Sequence, residues 1–168
     1  MTPTPGDVPA TADLWDEYGD QLDSCDLPLH RYGGRRRFAG RIVTLRARED
    51  NRGLKALLDE PGEGRVIVVD GDGSTRVALL GDLLAARAAA NGWAGIIIHG
   101  AVRDVEALAG VDLGVVALGS NPRRSRKETD GERDVPVSFG GARFEPGDWV
   151  AVDADGVVVH RGGPPHRS

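Results

Sequence analysis

The sequence predicts a single α/β domain with a parallel central sheet and antiparallel strands in its C-terminal part. Apolar runs of strand length alternate with short helical segments over the first two thirds of the chain, and this alternation is typical of βαβ units. The runs are apolar at consecutive positions, as expected for strands that are covered on both faces. From Val135 onward, short strands are separated by glycine-containing turns, which favours antiparallel pairing.

The N-terminal half is predicted to contain a leading helix and one βαβ unit. Thr11 is the expected N-cap of the helix, whose acidic first turn suits the helix dipole. After Gly33-Gly34, β-branched and small residues predict a strand from Phe38 to Ala47. Leu54 to Leu58 has helical spacing, and Val66 to Val69 is a continuous apolar strand.

A second βαβ unit completes the predicted parallel part of the sheet. The Leu- and Ala-rich segment Asp82 to Asn91 predicts a helix that ends at Gly92. The next strand is expected from Gly95 to Ile98. Val105 to Leu108 predicts a brief helix, and a further strand follows from Leu113 to Leu118.

For the rest of the chain, the sequence predicts an exposed loop followed by antiparallel strands. The strands are Val135 to Phe139, Trp149 to Val152 and Val157 to His160. The loop, Asn121 to Asp134, carries several cations and lacks apolar periodicity. We expect one domain over residues 11–161, with flexible tails at 1–10 and 162–168 that are rich in Pro, Thr or Gly.

Composition and charge argue against several classes of protein. A net charge of −5 and a pI near 5.3 disfavour the broad cationic face that a nucleic-acid binder needs. The apolar runs are too short to span a membrane. Cys25 is the single cysteine of the sequence, which fits a reducing compartment. We therefore expect a cytoplasmic protein that binds neither membranes nor nucleic acid directly.

Familiar ligand and catalytic motifs fail at defined positions. Asp70 to Ser74 resembles the start of a calcium loop, but Thr75 and Gly81 stand where such a loop needs glycine and glutamate. Arg76 occupies the place of the third glycine of a dinucleotide fingerprint. The four histidines have no paired spacing for zinc, and the Gly-x-Ser-x-Gly elbow of acyl-transfer enzymes is absent.

Two loops carry the chemistry that remains. They follow the strands Val66 to Val69 and Gly95 to Ile98, and ligands collect at the carboxyl ends of such strands. The first loop ends at Gly81-Asp82, where the unpaired N–H groups of a helix start favour an anion. The second presents Arg103, a forked donor for a carboxylate or keto oxygen, beside Asp104, a hard oxygen ligand for a magnesium-like ion. Together they predict a site for a 2-keto acid.

A purely structural alternative stays open for these residues when they are taken alone. Asp82 could do no more than stabilise the start of its helix, because a carboxylate is favourable there. Arg103-Asp104 could be a turn with an exposed ion pair, which contributes little to stability.

A series of short motifs runs along most of the chain in a fixed order. The motifs are Gly64 to Ser74, Ala78 to Asp82, Asn91 to Gly95, Val102-Arg103-Asp104, Ala117 to Gly119, Gly131 to Val137 and Pro146 to Asp148. With this series the sequence resembles, from about Thr11 to His160, the RraA-like family. That family contains the regulator of ribonuclease E activity A and the 4-hydroxy-4-methyl-2-oxoglutarate aldolases. The resemblance implies a swivelling β/β/α domain, typically a homotrimer with its pocket at subunit interfaces.

The resemblance also implies roles for the two loops. Its substrate-binding segment corresponds here to Gly81, Asp82, Leu83 and Leu84. Arg103 matches the substrate-binding arginine of the family, and Asp104 matches the aspartate that binds a divalent metal. In the aldolases the metal, magnesium or manganese, polarises the 2-keto oxygen and stabilises the pyruvate enolate, and Arg103 would reinforce that charge.

We expect a mechanism in which no Schiff base forms between a lysine and the substrate. Asp82 is our candidate for positioning the water that removes the substrate's hydroxyl proton. No lysine is needed for this chemistry, and we expect Lys55 and Lys127 to lie outside the site.

Two functions are compatible with the resemblance. The first is a metal-dependent aldolase that cleaves 4-hydroxy-4-methyl-2-oxoglutarate to pyruvate and can decarboxylate oxaloacetate. The second is a non-catalytic regulator that binds ribonuclease E, a branch that Gly119 to Arg126 resembles, with the charged surface Arg123 to Lys127 as a contact. Longer aldolases complete the site from a neighbouring subunit's C-terminal extension, for which we find no equivalent after His160. We favour the aldolase because Arg103-Asp104 and the helix start are all retained.

Overall fold

A computed structural model describes residues 7–166 of the chain. The predicted tails at 1–10 and 162–168 fall partly outside the described residues, at positions 1–6 and 167–168. Within the described range, Val8 is buried in a hydrophobic cluster with Leu14. A search of this range for a helix long and apolar enough to cross a membrane finds none.

Helices and strands alternate along residues 7–166. The α-helices are α1 (Thr11–Tyr18), α2 (Arg52–Leu58), α3 (Asp82–Ala90) and α4 (Val105–Leu108). The first six strands are β1 (Leu22–Cys25), β2 (His30–Arg31), β3 (Phe38–Arg46), β4 (Val66–Asp70), β5 (Ala78–Leu80) and β6 (Gly95–Val102). The remaining strands are β7 (Gly114–Ser120), β8 (Glu132–Arg133), β9 (Val137–Phe139), β10 (Ala142–Phe144), β11 (Trp149–Asp153) and β12 (Gly156–His160).

One large mixed sheet organises the molecule, in the order β1-β12-β11-β3-β4-β6-β7-β2. Its centre is parallel, because β3, β4, β6 and β7 all run in the same direction. β11 and β12 extend it through antiparallel pairing of β11 with β3, while β9 and β10 form a separate hairpin. The predicted α/β class, with a parallel centre and antiparallel C-terminal strands, is confirmed.

Both faces of the parallel strands are buried, as their uninterrupted apolar runs predict. On one face, α2 and α3 pack through residues such as Leu57 and Ala88. On the other face, Val68 and Ile97 pack with Phe144 of the β9–β10 hairpin. The parallel part of the sheet is therefore a middle layer, covered by helices on one face and by the β9–β10 hairpin on the other.

The start of α1 differs from the prediction. Thr11 is the first helical residue and Ala10 is the N-cap, with no side-chain cap of its own. The cap comes from the other end of the chain, since Asp153 Oδ2 accepts the backbone N–H of Thr11 at 2.8 Å and Oδ1 accepts its hydroxyl at 2.7 Å. Both residues are buried, so this carboxylate ties α1 to the end of β11.

We expect Asp153→Asn to lower the free energy of unfolding by about 1–3 kcal/mol near pH 7, because hydrogen bonds to a charged acceptor are lost. Burial alone raises the pKa of the Asp153 carboxyl, but hydrogen bonds from Thr11 and Asp155 outweigh it and lower the pKa. A carboxylate with a lowered folded-state pKa stabilises the fold above its unfolded pKa of about 4, and the contribution is lost as pH falls through the folded value.

Urea denaturation of the variant and the wild type, with pH lowered stepwise from about 7 to about 2, measures this contribution. The two stabilities should differ at neutral pH and converge in acid. A gap of the same size across the whole range would show that the carboxylate charge is not the cause.

Strand β6 is longer than predicted. It continues to Val102, so Gly100 and Ala101 belong to the sheet and not to the second loop. Pairing with β5 on one side and β7 on the other holds this extension. The strands β1, β2, β5 and β8, of two to four residues each, were not predicted, because segments this short show no periodicity and are defined by their partners. β8 lies inside the predicted exposed loop Asn121 to Asp134.

Candidate active site

The two predicted loops lie side by side at the carboxyl end of the sheet. β5 ends at Leu80 and leads through Gly81 into α3, while β6 ends at Val102 and leads through Arg103 and Asp104 into α4. Parallel pairing of β5 with β6 aligns these two ends. The backbone N–H of Arg103 donates to the Leu80 carbonyl at 2.9 Å. The pairing thus places the start of α3 next to the start of α4.

Asp104 links the two helix starts. Its Oδ2 accepts the backbone N–H of Asp82 at 3.1 Å and lies 3.8 Å from Nε of Arg103. Asp104 has a left-handed backbone with φ of 58° at the N-cap of α4, a conformation that aspartate adopts more readily than most residues. The side chain remains 38% exposed, so a ligand from solvent can reach the carboxylate.

A cavity of about 210 Å³ opens at this point. It is lined by every site residue that the sequence predicted, namely Gly81, Asp82, Leu83, Leu84, Arg103 and Asp104. The lining also includes residues from other segments, among them Asn51, Lys55, Arg87, Arg124, Ser125 and Lys127. Because the first N–H groups of a helix have no partner within it, the first turn of α3 offers backbone donors to this space.

The charge of the lining is predominantly positive. Its cationic side chains are those of Lys55, Arg87, Arg103, Arg124 and Lys127. The lining has two carboxylates, those of Asp82 and Asp104, and Asp59 pairs with Arg87 from outside the lining at 2.8 Å. Contrary to the prediction, Lys55 and Lys127 lie at the cavity, because α2 and the segment after β7 pack beside the start of α3. An anionic ligand with more than one negative charge suits such a lining.

Asn51 is a lining residue that the sequence analysis did not single out. It is 7% exposed, and its Nδ2 donates to the Leu79 carbonyl at 3.1 Å, which fixes the orientation of the amide. Its Oδ1 is buried with no hydrogen-bond partner among residues 7–166. A buried acceptor left unpaired costs about 1–3 kcal/mol, so the cavity wall holds an acceptor that a donor group or a water would satisfy. No local pattern marks Asn51, since its burial comes from contact with β5.

The carboxylates of the cavity suit a divalent metal that keeps much of its hydration. In the part of the chain that the structure describes, no group of three or more His, Cys, Asp or Glu side chains converges. The cavity instead offers Asp104, with Asp82 next to it. Magnesium is commonly held by one or two carboxylates while waters and substrate oxygens fill the other positions, and manganese accepts the same ligands. The residues present therefore fit either ion.

The fold and this cavity can be compared with known proteins. Residues 11–159 match the RraA-like family, which is described as Aldolase/RraA. The chain belongs to the RraA-like family. The RraA-like fold expected from the sequence motifs is confirmed by solved structures as well. The RNA-processing inhibitor RraA from Thermus thermophilis has a TM-score of 0.90 and 45% identity, over 94% of this chain and 95% of that chain.

Other solved structures that are similar to this chain carry different descriptions. A Geobacillus kaustophilus HTA426 protein, described as S-adenosylmethionine:2-dimethylmenaquinone methyltransferase, has 50% identity and a TM-score of 0.88, over 90% of this chain and 94% of that one. RraAS2 from Streptomyces coelicolor, described as an unusual member of the RNase ES inhibitor RraA protein family, has 28% identity and a TM-score of 0.76. The alignment with it covers 95% of this RraA-like chain and 86% of the Streptomyces chain. Membership of the RraA-like family thus establishes the fold, whereas the relatives with this fold differ in their described activities.

Gly81 marks the closest approach of the two helix starts. A Cβ on Gly81 would lie 2.5 Å from Asp104 Oδ2 and 3.3 Å from Arg103 Nε. The φ of Gly81 is −129°, so alanine fits the backbone and only the side-chain space is affected. We expect Gly81→Ala to displace the Asp104 carboxylate and to weaken binding of Mn²⁺ about tenfold or more, with only a small effect on folding.

Gly119→Ala is the matched control for this substitution, because a Cβ at that position in β7 meets no atom within 4 Å. Calorimetric titration of each variant with Mn²⁺, beside a urea denaturation curve, separates metal binding from stability. Equal metal affinity in the two alanine variants would contradict the assignment of Asp104.

Proposed function

We propose that this protein is a divalent-metal-dependent aldolase that cleaves 4-hydroxy-4-methyl-2-oxoglutarate to pyruvate and also decarboxylates oxaloacetate. One observation carries the proposal: Arg103, Asp104 and the first turn of α3 line the same cavity. A 2-keto acid presents a carboxylate and a keto oxygen side by side. The cavity offers helix-start amides for the first group and a guanidinium for the second.

Four residues of the cavity would hold the metal and the reacting end of the substrate. Asp104 would bind the magnesium or manganese ion, which supplies a Lewis acid for the keto oxygen. The backbone N–H groups of Leu83 and Leu84 bind the carboxylate next to the keto group. The Arg103 guanidinium donates to the keto oxygen, and because negative charge grows there as the enolate forms, this contact is stronger in the transition state than in the bound substrate.

Cleavage of the aldol breaks the bond between the third and fourth carbons of the substrate. The hydroxyl on the fourth carbon loses its proton, and that carbon becomes the keto carbon of one pyruvate. The bonding electrons pass to the third carbon and form the enolate of the second pyruvate, which is then protonated there. Asp82 positions the water that takes the hydroxyl proton. In oxaloacetate the corresponding bond breaks with loss of carbon dioxide, and the same enolate results.

The purified chain with magnesium or manganese provides the test. We expect pyruvate to be released from both acids, at a rate that depends on the metal and falls to background with a chelator. Pyruvate is measured through a coupled lactate dehydrogenase assay. If neither acid yields pyruvate with either metal, the aldolase proposal is rejected.

Inhibition of ribonuclease E is the second candidate function. The 45% identity with an RNA-processing inhibitor favours it, as does the row of exposed cations at Arg123, Arg124, Arg126 and Lys127, a charged surface for a protein partner. We expect direct binding to ribonuclease E and slower cleavage of an RNA substrate. Unchanged cleavage at a saturating concentration of this protein would remove the candidate.

Methyl transfer, the activity in the description of the Geobacillus protein, has less physical support here. S-adenosylmethionine carries a sulfonium cation, and the cavity of this chain is lined by five cationic side chains against two carboxylates. Like charges in a partly desolvated cavity repel each other. The cavity therefore favours an acidic ligand.

We further propose that the protein is a cytoplasmic homotrimer whose neighbouring subunit covers the cavity. Leu83 is 77% exposed at the cavity and Val105, next to Asp104, is 38% exposed. We take these two exposed apolar side chains to be part of the surface that the neighbouring subunit buries. Light scattering of the purified protein should give three times the chain mass of 17.8 kDa, and a monomer mass would contradict the trimer.

A further inference from the structure

One wall of the cavity is an irregular segment, residues 123–129, which we call the cleft arm. Its backbone is paired at several points. The N–H of Ala78 donates to the Arg123 carbonyl at 2.8 Å, and the N–H of Asn51 donates to the Arg126 carbonyl at 3.1 Å. The N–H of Arg126 donates in turn to the Glu49 carbonyl at 3.0 Å. The cleft arm is therefore fixed to the segment before α2 and to β5.

Asp50 holds the far end of the cleft arm. Its side chain is buried, with the residue 4% exposed. Oδ2 accepts the backbone N–H groups of Glu128 at 2.9 Å and Thr129 at 3.1 Å, while Oδ1 accepts the N–H of Arg52 at 3.1 Å. Burial alone raises the pKa of the Asp50 carboxyl, but these hydrogen bonds outweigh it and lower the pKa. The group therefore stays a charged acceptor at neutral pH.

Only some side chains of the cleft arm line the cavity. Arg124, Ser125 and Lys127 line it, whereas Arg126 is exposed and does not. The amides of α3 and the guanidinium of Arg103 suffice for the carboxylate and keto oxygen of a 2-keto acid. The cations of the cleft arm are thus left for a charge further along the ligand, which pyruvate lacks and which the two proposed substrates carry as a second carboxylate.

We propose that Asp50 is a positioning residue, which fixes the cleft arm so that Arg124 and Lys127 bind the distal carboxylate of a dianionic 2-keto acid. This inference rests on the proposed function, since it concerns how the same cavity distinguishes its ligands. Asp50 touches no ligand itself. It acts through the backbone of Glu128 and Thr129.

The Asp50→Asn variant is the first test, because an amide can replace only one of the two acceptor oxygens. We expect its KM for oxaloacetate to rise about tenfold, the equivalent of one charged hydrogen bond. The inhibition constant of pyruvate should stay at the wild-type value, because pyruvate has no distal carboxylate. Hydrogen exchange at the amides of Glu128 and Thr129 should become faster. If the variant were only less well folded, the binding of oxaloacetate and of pyruvate would be weakened equally. That result would overturn the proposal.

Lys127→Gln and Arg126→Gln form a matched pair that leaves the Asp50 contacts intact. Both remove one positive charge from an exposed position of the cleft arm. We expect the Lys127 variant to raise the KM for oxaloacetate about threefold, as for a partly solvated ion pair, and the Arg126 variant to leave it unchanged. Equal effects of the two variants would reduce the role of the cleft arm to general electrostatics and overturn the proposal.

A binding measurement separates this inference from the proposed function. Calorimetry with Mn²⁺ present compares 2-oxoglutarate, which has a distal carboxylate, with pyruvate, which has none. A wild type that binds both acids without turning over any substrate defeats the aldolase proposal, and selective loss of 2-oxoglutarate binding in Asp50→Asn then supports the positioning role. If the wild type is active and Asp50→Asn has the same KM for oxaloacetate, the positioning role is rejected and the aldolase proposal stands. Binding of neither acid to the wild type overturns both.

Discussion

Asp104→Ala should reduce kcat/KM for oxaloacetate by about 100-fold or more in the presence of magnesium or manganese. Removal of one preorganised group that stabilises developing charge typically costs about this much, and Asp104 would also hold the metal. The same carboxylate accepts the backbone N–H of Asp82 at 3.1 Å. Its loss therefore also frees the start of α3. The measurement is pyruvate release over a range of metal concentrations, since weaker metal binding should make the residual activity need more metal.

The control for this variant is Asp112→Ala. The Asp112 side chain is 80% exposed and pairs with Arg35, away from the residues that line the cavity. Wild-type activity is expected there, because an exposed ion pair contributes at most about 1 kcal/mol to stability. If Asp104→Ala kept activity within a few-fold of Asp112→Ala, the metal-dependent mechanism would have to be abandoned.

Phe38→Ala should lower the free energy of unfolding by about 3–5 kcal/mol, the usual cost of emptying a buried aromatic site. Phe38 begins β3, is 1% exposed, and lies against Gly95 and Gly114 at the starts of β6 and β7. A Cβ would lie 2.3 Å from the ring at Gly95 and 2.1 Å from it at Gly114. The ring thus occupies space that two glycines leave open across neighbouring strands, and neither glycine has a side chain to fill it. Urea denaturation monitored by circular dichroism measures the change.

Trp15→Ala is the comparison, since it also removes a large aromatic side chain but from a site that is 43% exposed. We expect a loss of stability below about 1 kcal/mol in that variant. A cost at Phe38 no larger than the cost at Trp15 would mean that the contact between Phe38 and the two glycines is not a main packing contact of the sheet.

Much of the candidate site was predictable because its signals are local. Gly81-Asp82 ends a strand and begins a helix, and the same is true of Arg103-Asp104, so both boundaries can be recognised from neighbouring residues. Parallel strands then bring their carboxyl ends to one edge. Asn51 was not predicted, and the expectation that Lys55 and Lys127 lie outside the site was wrong, because these residues reach the cavity through the packing of segments distant in the sequence. The prediction that Thr11 is the N-cap of α1 was wrong for the same reason, since the backbone N–H and the hydroxyl of Thr11 donate to the distant Asp153 carboxylate.

The sequence by itself determined the α/β class, the apolar strands of the parallel centre, the family, and the residues that begin α3 and α4. These follow from hydrophobic periodicity, helix-end signals and motif order, which nearby residues encode. Only the tertiary structure decided that the short strands β1, β5 and β8 exist, that β6 continues to Val102, and that the cleft arm lines the cavity. The reason is physical: such segments have too little intrinsic preference to fold alone, and hydrogen bonds to distant partners such as Asp50 supply the free energy that orders them.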